Sequence, residues 1–265
     1  MHFHLPKPMH GWRVFVGEVG VIVIGVMMAL VAQQFAENWQ WRQTVARTKS
    51  DLDDQIHSAV ANSAERAAVD PCLSQRLSEL ATKVAASRGQ WVGDPYNSPG
   101  DRTTKGFVEY AVPRVYRTPE REFPGDVWDQ AKAGGVLTHM LPADIALYAD
   151  AFAIIAGLRS LSVPENELQA ELSFLAFDGP LSSSERGRAL SMIARLDTLN
   201  RDTLNRASVL VDSAKLLGGT LSSADEKLLF DHLDRQRAFR GTCVDRAAAL
   251  RLIAPLRRAQ TAPPS

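Results

Sequence analysis

With 265 residues, 45% of them hydrophobic and 23% charged, the chain has a globular composition, which argues against wholesale disorder. Thirty Lys and Arg offset thirty Asp and Glu, so there is no overall electrostatic case for nucleic acid as a partner. Without its apolar N-terminal stretch the chain is still long enough to bury a core unaided by metal or disulfide staples.

Residues 1–13 read as a short cytoplasmic segment. His2, His4 and His10 lie in it, and a partly interfacial tail explains them better than a chelating site does. Residues 14–36 read as a transmembrane helix: VFVGEVGVIVIGVMMALVAQQF runs from Val14 to Phe35 with Glu18 as its only charge. Twenty-two helical residues span roughly 33 Å, matching a hydrocarbon core of about 30 Å. Trp12 on one side and Trp39 and Trp41 on the other bracket the run as interfacial aromatics do. A cleaved signal peptide fits less well, because Ala29 and Ala32 are three apart and leave no A-x-A site. At 100° per residue, Glu18, Ile22, Gly25, Ala29, Ala32 and Ala36 fall on one stripe. Gly25-x-x-x-Ala29 is a small-xxx-small pair, so the stripe is expected to pack on a second copy or on another protein's helix; the alternative is a plain tether.

Charge gives the orientation weakly, with Lys7 and Arg13 on one side of the run and Arg42, Arg47 and Lys49 on the other. The two cysteines, Cys72 and Cys243, have no metal spacing. As an even pair they suit a structural disulfide in an exported domain, the alternative being two unrelated thiols. The expected arrangement is therefore a single pass through the bacterial inner membrane, with the bulk of the chain in the periplasm.

The stretch HLPKPMHGWRVFVGEVGVIVIGVMMAL (His4–Leu30), followed by Trp41-Arg42, resembles the start of a family of single-pass membrane proteins of Gram-negative bacteria that has no assigned activity. In that family a Pro-Lys-Pro and His-Gly-Trp-Arg stretch runs into Gly-Glu-Val and an apolar helix. The resemblance covers about forty residues near the N-terminus. It implies an anchored helical protein and transfers no catalytic residue.

The body, residues 37–260, reads as mainly α, an antiparallel helical bundle interrupted by an irregular insertion at 89–125 and ending in a flexible tail, 261–265. Val45, Leu52, Ile56, Ala59/Val60, Ser63 and Ala67 make an amphipathic seam that continues the membrane helix. Asp70-Pro71 is expected to end it, with Asp70 capping a new helix that runs to about Ser87. The insertion holds five prolines and six aromatics, too many aromatics for a disordered linker. Its Trp91, Tyr96, Tyr110 and Tyr116 are candidate partner-binding residues, although a loop covering the domain's own core fits equally well. A short hairpin over Phe107–Tyr110 and Val115–Tyr116 is expected.

Beyond it, Pro142 opens a helix to about Leu161. Ser162/Glu165, Ser182/Glu185 and Ser223/Glu226 have capping-box spacing. Gly179-Pro180 and Gly218-Gly219 mark turns around a long helix over Ser182–Leu217. The doubled pentapeptide DTLNR, Asp197–Arg201 and Asp202–Arg206, does not fit helical periodicity and reads as a local accident.

Chemistry-bearing patterns are sparse. Asp53 and His57, with Asp51 and Asp54 beside them, place two metal-type ligands on one helix face without a third; Asp231-His232 with Asp234 is similar. His139, near Trp128 and Asp129, is a candidate acid–base but reads better as a core-edge histidine. Between Lys227 and Arg258 eight Lys and Arg outnumber three Asp, which suits a solvated basic face or a lipid-headgroup surface. There is no G-x-S-x-G, H-E-x-x-H, S-x-x-K or P-loop. The chain is therefore expected to be non-catalytic and to need no cofactor: a tethered scaffold or accessory subunit whose partners are the bilayer and other membrane or periplasmic proteins. A ligand-sensing bundle is the alternative, followed by an envelope enzyme.

Overall fold

The computed structural model describes residues 12–93, 123–240 and 243–257 and is mainly helical. Helix α1, Trp12–Ala86, runs 75 residues without interruption, roughly 110 Å at 1.5 Å per residue. Its first third is bare among the described residues: the large hydrophobics between Phe15 and Phe35 are 42–72% exposed. That bare segment, with a mean hydropathy of 2.4 over its most apolar window, is long and apolar enough to span a membrane.

The body meets α1 at Trp41. The indole is partly covered and stacks on His139, ring centroids 3.8 Å apart. From there the expected seam is buried: Leu52, Ile56, Ala59, Val60 and Ser63 are at most 2% exposed. Between Ser63 and Val69 every residue is buried. The alanines of this stretch let neighbouring helices approach α1 from all sides, so a surface-type helix becomes a central strut.

Helix α2, Asp126–Ala133, and a 3-10 turn, Val136–His139, climb toward the bare end of α1. Helix α3, Pro142–Glu171, then runs alongside α1 in the same sense. Lys49 pairs with Asp144, the Tyr148 hydroxyl donates to Asp53 (2.8 Å), and Arg66 pairs with Glu165, so both helices advance in step. Helix α4, Ser183–Leu216, returns in the opposite sense: Arg186 donates to the Ser87 carbonyl and Asn200 donates to Asp70. Helices α5, Ser223–Arg240, and α6, Arg246–Ile253, cover the remaining side of α1.

The expected break at Asp70-Pro71 does not occur, because α1 passes through it. Pro71 cannot donate to the Ala67 carbonyl, a loss that in an isolated helix costs about 3 kcal/mol. Other bonds tie this turn of α1 to the body. The Asp245 backbone N–H donates to the Ala68 carbonyl (2.7 Å), and the Asp70 carboxylate accepts from Ser74 and Asn200 instead of capping a helix. Pro71 instead divides two hydrophobic cores. Residues of α1 up to Val69 join a cluster with Phe152, Ile155, Leu210 and Leu233. Leu73, Leu77, Leu80 and Val84 join a distal cluster with Leu168, Leu172, Leu175 and Ile193.

Two further expectations change. The helix from Pro142 passes Leu161 and Pro164 to reach Glu171, so Ser162 is internal and its hydroxyl returns to the Arg159 carbonyl. The α5 cap is formed by Ser222 and Asp225, whose side chains bond each other's backbone N–H, one residue ahead of Ser223/Glu226. Ser182/Glu185 is a complete capping box at the start of α4. Within the insertion, residues 94–122 lie outside the described residues, and with them Tyr96, Tyr110, Tyr116 and the expected hairpin. At its described start, Gln90–Trp91 pairs antiparallel with Gly179–Pro180.

Candidate functional site

The stripe of Glu18, Ile22, Gly25, Ala29, Ala32 and Ala36 lies wholly on the bare part of α1 and is exposed. A Cβ built on Gly25 meets no atom within 4 Å, so another helix has room to approach there. Trp91 is placed differently from its expected role at a partner surface. It is 7% exposed, packs in the distal core, and donates its indole N–H to the Leu175 carbonyl (2.8 Å). Burying the ring and satisfying its N–H within the domain leaves it unavailable to a partner in this fold.

Cys72 and Cys243 face each other at disulfide distance, Cα atoms 5.1 Å apart and 171 residues apart in sequence. The pair sits one residue beyond Pro71 and two before Asp245, so the bond would tie the α5–α6 connection to the point where α1 loses a backbone hydrogen bond. The pairing of Cys72 with Cys243 was expected from the sequence; that it falls where α1 passes through Pro71 was not.

The acidic and histidine patterns separate in space. Asp53 accepts from the buried Tyr148 phenol; burial, followed by the hydrogen bond and charge of Asp53, pushes that phenol well above the ordinary tyrosine range. His139 stacks on Trp41, while Trp128 stacks on Phe152 and Asp129 pairs with Lys132. Asp231 and Asp234 pair with Lys227 and Arg246, so they do not converge with His232. No group of three His, Cys, Asp or Glu has metal-binding geometry among the described residues. Of the basic run, Lys227, Arg246, Arg251 and Arg257 all form ion pairs on the surface.

What sequence reasoning missed is a cleft of about 370 Å³ between α1, α5 and α6. From α1 it receives His57, Asn62 and Glu65; from α5, Asp225, Leu229 and His232. Local folding positions each group. The α4–α5 turn needs Gly218 at φ +82° and has no room for a Cβ at Gly219, which would lie 2.8 Å from the Ala214 carbonyl and 3.4 Å from His57 Nε2. Asp225 is fixed by its capping bonds to Ser222. Glu65 is buried, its side chain 3% exposed, with one oxygen 3.2 Å from His232 Nε2. Its neighbour Arg66 turns to the opposite side and pairs with Glu165 on α3. Two adjacent buried polar side chains thus tie α1 to α5 and to α3.

Val60, Leu221 and Ile253 give the cleft an apolar lining around this polar corner. Such a site orients a small molecule through a few polar groups and gains affinity from apolar contact. The one sequence signal for it was the adjacent Glu65-Arg66 pair within an alanine-rich seam, where charges are otherwise out of place. Comparison with family models, with characterised proteins and with solved structures gave no match.

Proposed function

We propose that the protein is a membrane-anchored, non-catalytic scaffold or accessory subunit of a membrane protein assembly. On this reading residues 14–36 cross the inner membrane, residues 1–13 are cytoplasmic, and a helical bundle carrying the Pro- and aromatic-rich insertion stands in the periplasm. The resemblance of His4–Leu30 to anchored single-pass proteins of Gram-negative bacteria agrees with this.

The observation that supports it most is the continuity of α1, the apolar bare helix and the central strut of both cores being one element. Between Phe35 and Leu52 there is no glycine or proline to act as a hinge. The body is therefore held at a fixed height and rotation relative to the bilayer, which serves a protein that positions partners. A freely diffusing catalyst or a tethered lid would gain nothing from it. Partners on this reading are the bilayer, other membrane or periplasmic proteins, and a second copy through the stripe around Gly25 and Ala29.

The test is to replace Glu37–Gln40 with four residues of Gly and Ser and, separately, with four alanines, which keep the helix continuous and its length unchanged. Proteins recovered with the native chain in mild detergent should be retained by the alanine variant and lost from the Gly-Ser variant. Equal recovery with all three chains would show that rigid positioning is not the function.

A further inference from the structure

We propose that the turn joining α2 to α3, residues 133–143, rests in the lipid headgroup layer beside α1 and gives the body a second contact with the bilayer. This rests on the reading of residues 14–36 as the membrane span.

The depth of the turn is set by α1. Trp41 lies six residues beyond Phe35, about 9 Å along the axis, and its side chain leans back toward the helix N-terminus. The headgroup layer is roughly 5–8 Å deep on each side of the hydrocarbon core, so the indole stands in its outer part. His139 stacks on this ring with centroids 3.8 Å apart, which brings the end of the turn to the same depth. The ion pair of Lys49 with Asp144 holds the first turn of α3 against α1, so Leu141, the residue before that helix, faces the membrane end of the body. An axis tilt of about 20°, the average for membrane helices, lowers a point one helix spacing to the side by roughly 3 Å when it leans toward α3.

The composition of the turn matches that depth. Residues 133–143 read AGGVLTHMLPA, without Asp, Glu, Lys or Arg, in a chain that is 23% charged. Thr138, His139, Leu141 and Pro142 are exposed, Leu141 to 68%. A lone exposed leucine needs no explanation. An uncharged turn at headgroup depth, however, loses little solvation on leaving water and gains apolar contact. Its backbone suits the same surroundings. The Gly134, Gly135, Thr138 and Met140 N–H groups bond to carbonyls of α2 and of the turn itself, and the Thr138 hydroxyl returns to Gly135. Gly135, at φ +71°, makes the reversal that places these bonds.

The experiment uses the full-length protein in phosphatidylcholine vesicles, with the photoreactive residue p-benzoylphenylalanine at one position at a time. The positions are Met28 in the apolar segment, Leu141, Ala143, and the exposed Val163, roughly 33 Å further along α3 than Leu141. Lipid adducts are quantified by mass spectrometry, and those at Met28 and Leu141 should exceed those at Val163 at least ten-fold. Leu141→Asp puts a favoured residue at the α3 N-cap and so spares the fold. It should cut adducts at Ala143 at least three-fold. Three results would each overturn the seated turn while leaving the span in place, given lipid adducts at Met28: adducts at Leu141 no higher than at Val163, adducts at Leu141 to a second protein chain in place of lipid, or adducts at Ala143 unchanged by Leu141→Asp. Absence of lipid adducts at Met28 would overturn the span itself, and the proposal with it.

Discussion

Ser162, Ser182 and Ser223 share one local pattern, a serine followed three residues later by glutamate, and have three different fates. Ser182 and Glu185 close a full capping box, and the Ser182 hydroxyl and backbone bonds hold the Glu185 carboxyl below its ordinary range. Ser162 is carried into the middle of α3, where Glu165 is claimed by the buried Arg66. Ser223 loses its place to Ser222, because Glu226 is drawn to Arg257 while Asp225 reaches back to the Ser222 N–H. Ser182→Ala and Ser222→Ala should each cost about 1 kcal/mol. Ser162→Ala and Ser223→Ala should cost under about 0.5 kcal/mol. Urea unfolding of the four variants checks this, and equal losses at all four positions would contradict the cap assignments. A second residue-scale prediction concerns Tyr148. Its phenol is held protonated by burial and by Asp53, so its stabilisation is complete below the unfolded tyrosine range, about pH 10, and is lost as pH rises beyond it. The native chain should lose stability relative to Tyr148→Phe as pH rises above about 10, measured by urea midpoint against values at pH 8; a constant difference would remove Tyr148 from that role.

At the scale of elements, α1 carries most of what distinguishes this fold. Its amphipathic seam was legible because Leu52, Ile56, Ala59 and Ser63 recur at helical spacing, and all are buried. Its passage through Pro71 was not legible, because the residues that pack around that turn, Asp245, Asn200 and Cys243, lie more than a hundred residues away in the chain. Bonding Cys72 to Cys243 closes a loop of 171 residues, which on the chain-entropy model stabilises by up to about 5 kcal/mol. Reductant, or the pair Cys72→Ser with Cys243→Ser, should lower the urea midpoint by a similar amount; two alkylatable thiols in protein taken directly from the envelope would refute the bond. The bare segment supports a separate prediction. Gly25→Leu with Ala29→Leu should preserve membrane insertion and abolish cross-linking between cysteines placed at Ile22 or Ala32. Cross-linking that survives both substitutions would reduce the segment to a tether.

For the molecule as a whole, the proposed placement of its two ends relative to a bilayer rests on the bare apolar segment of α1 and on the cysteine pair. A reporter active only in the periplasm, fused after Ser265, should be active, and one fused before Met1 silent; the reverse pattern would invert the topology. The sequence by itself determined the apolar segment, the helical class and the boundaries of the long helix α4, since each rests on periodicity, caps and turns that act over a few residues. The doubled DTLNR shows where that reach ends. Five residues advance a helix by 500°, so Asn200 of the first copy is buried against Asp70 while Asn205 of the second is exposed. Only the tertiary structure decided that Trp91 belongs to the core, that Glu65 and Arg66 are buried back to back, and that His57, Asp225 and His232 share a cleft with Glu65. Those outcomes depend on which helices surround α1, and burial energies set by distant partners override the local preferences that a sequence displays.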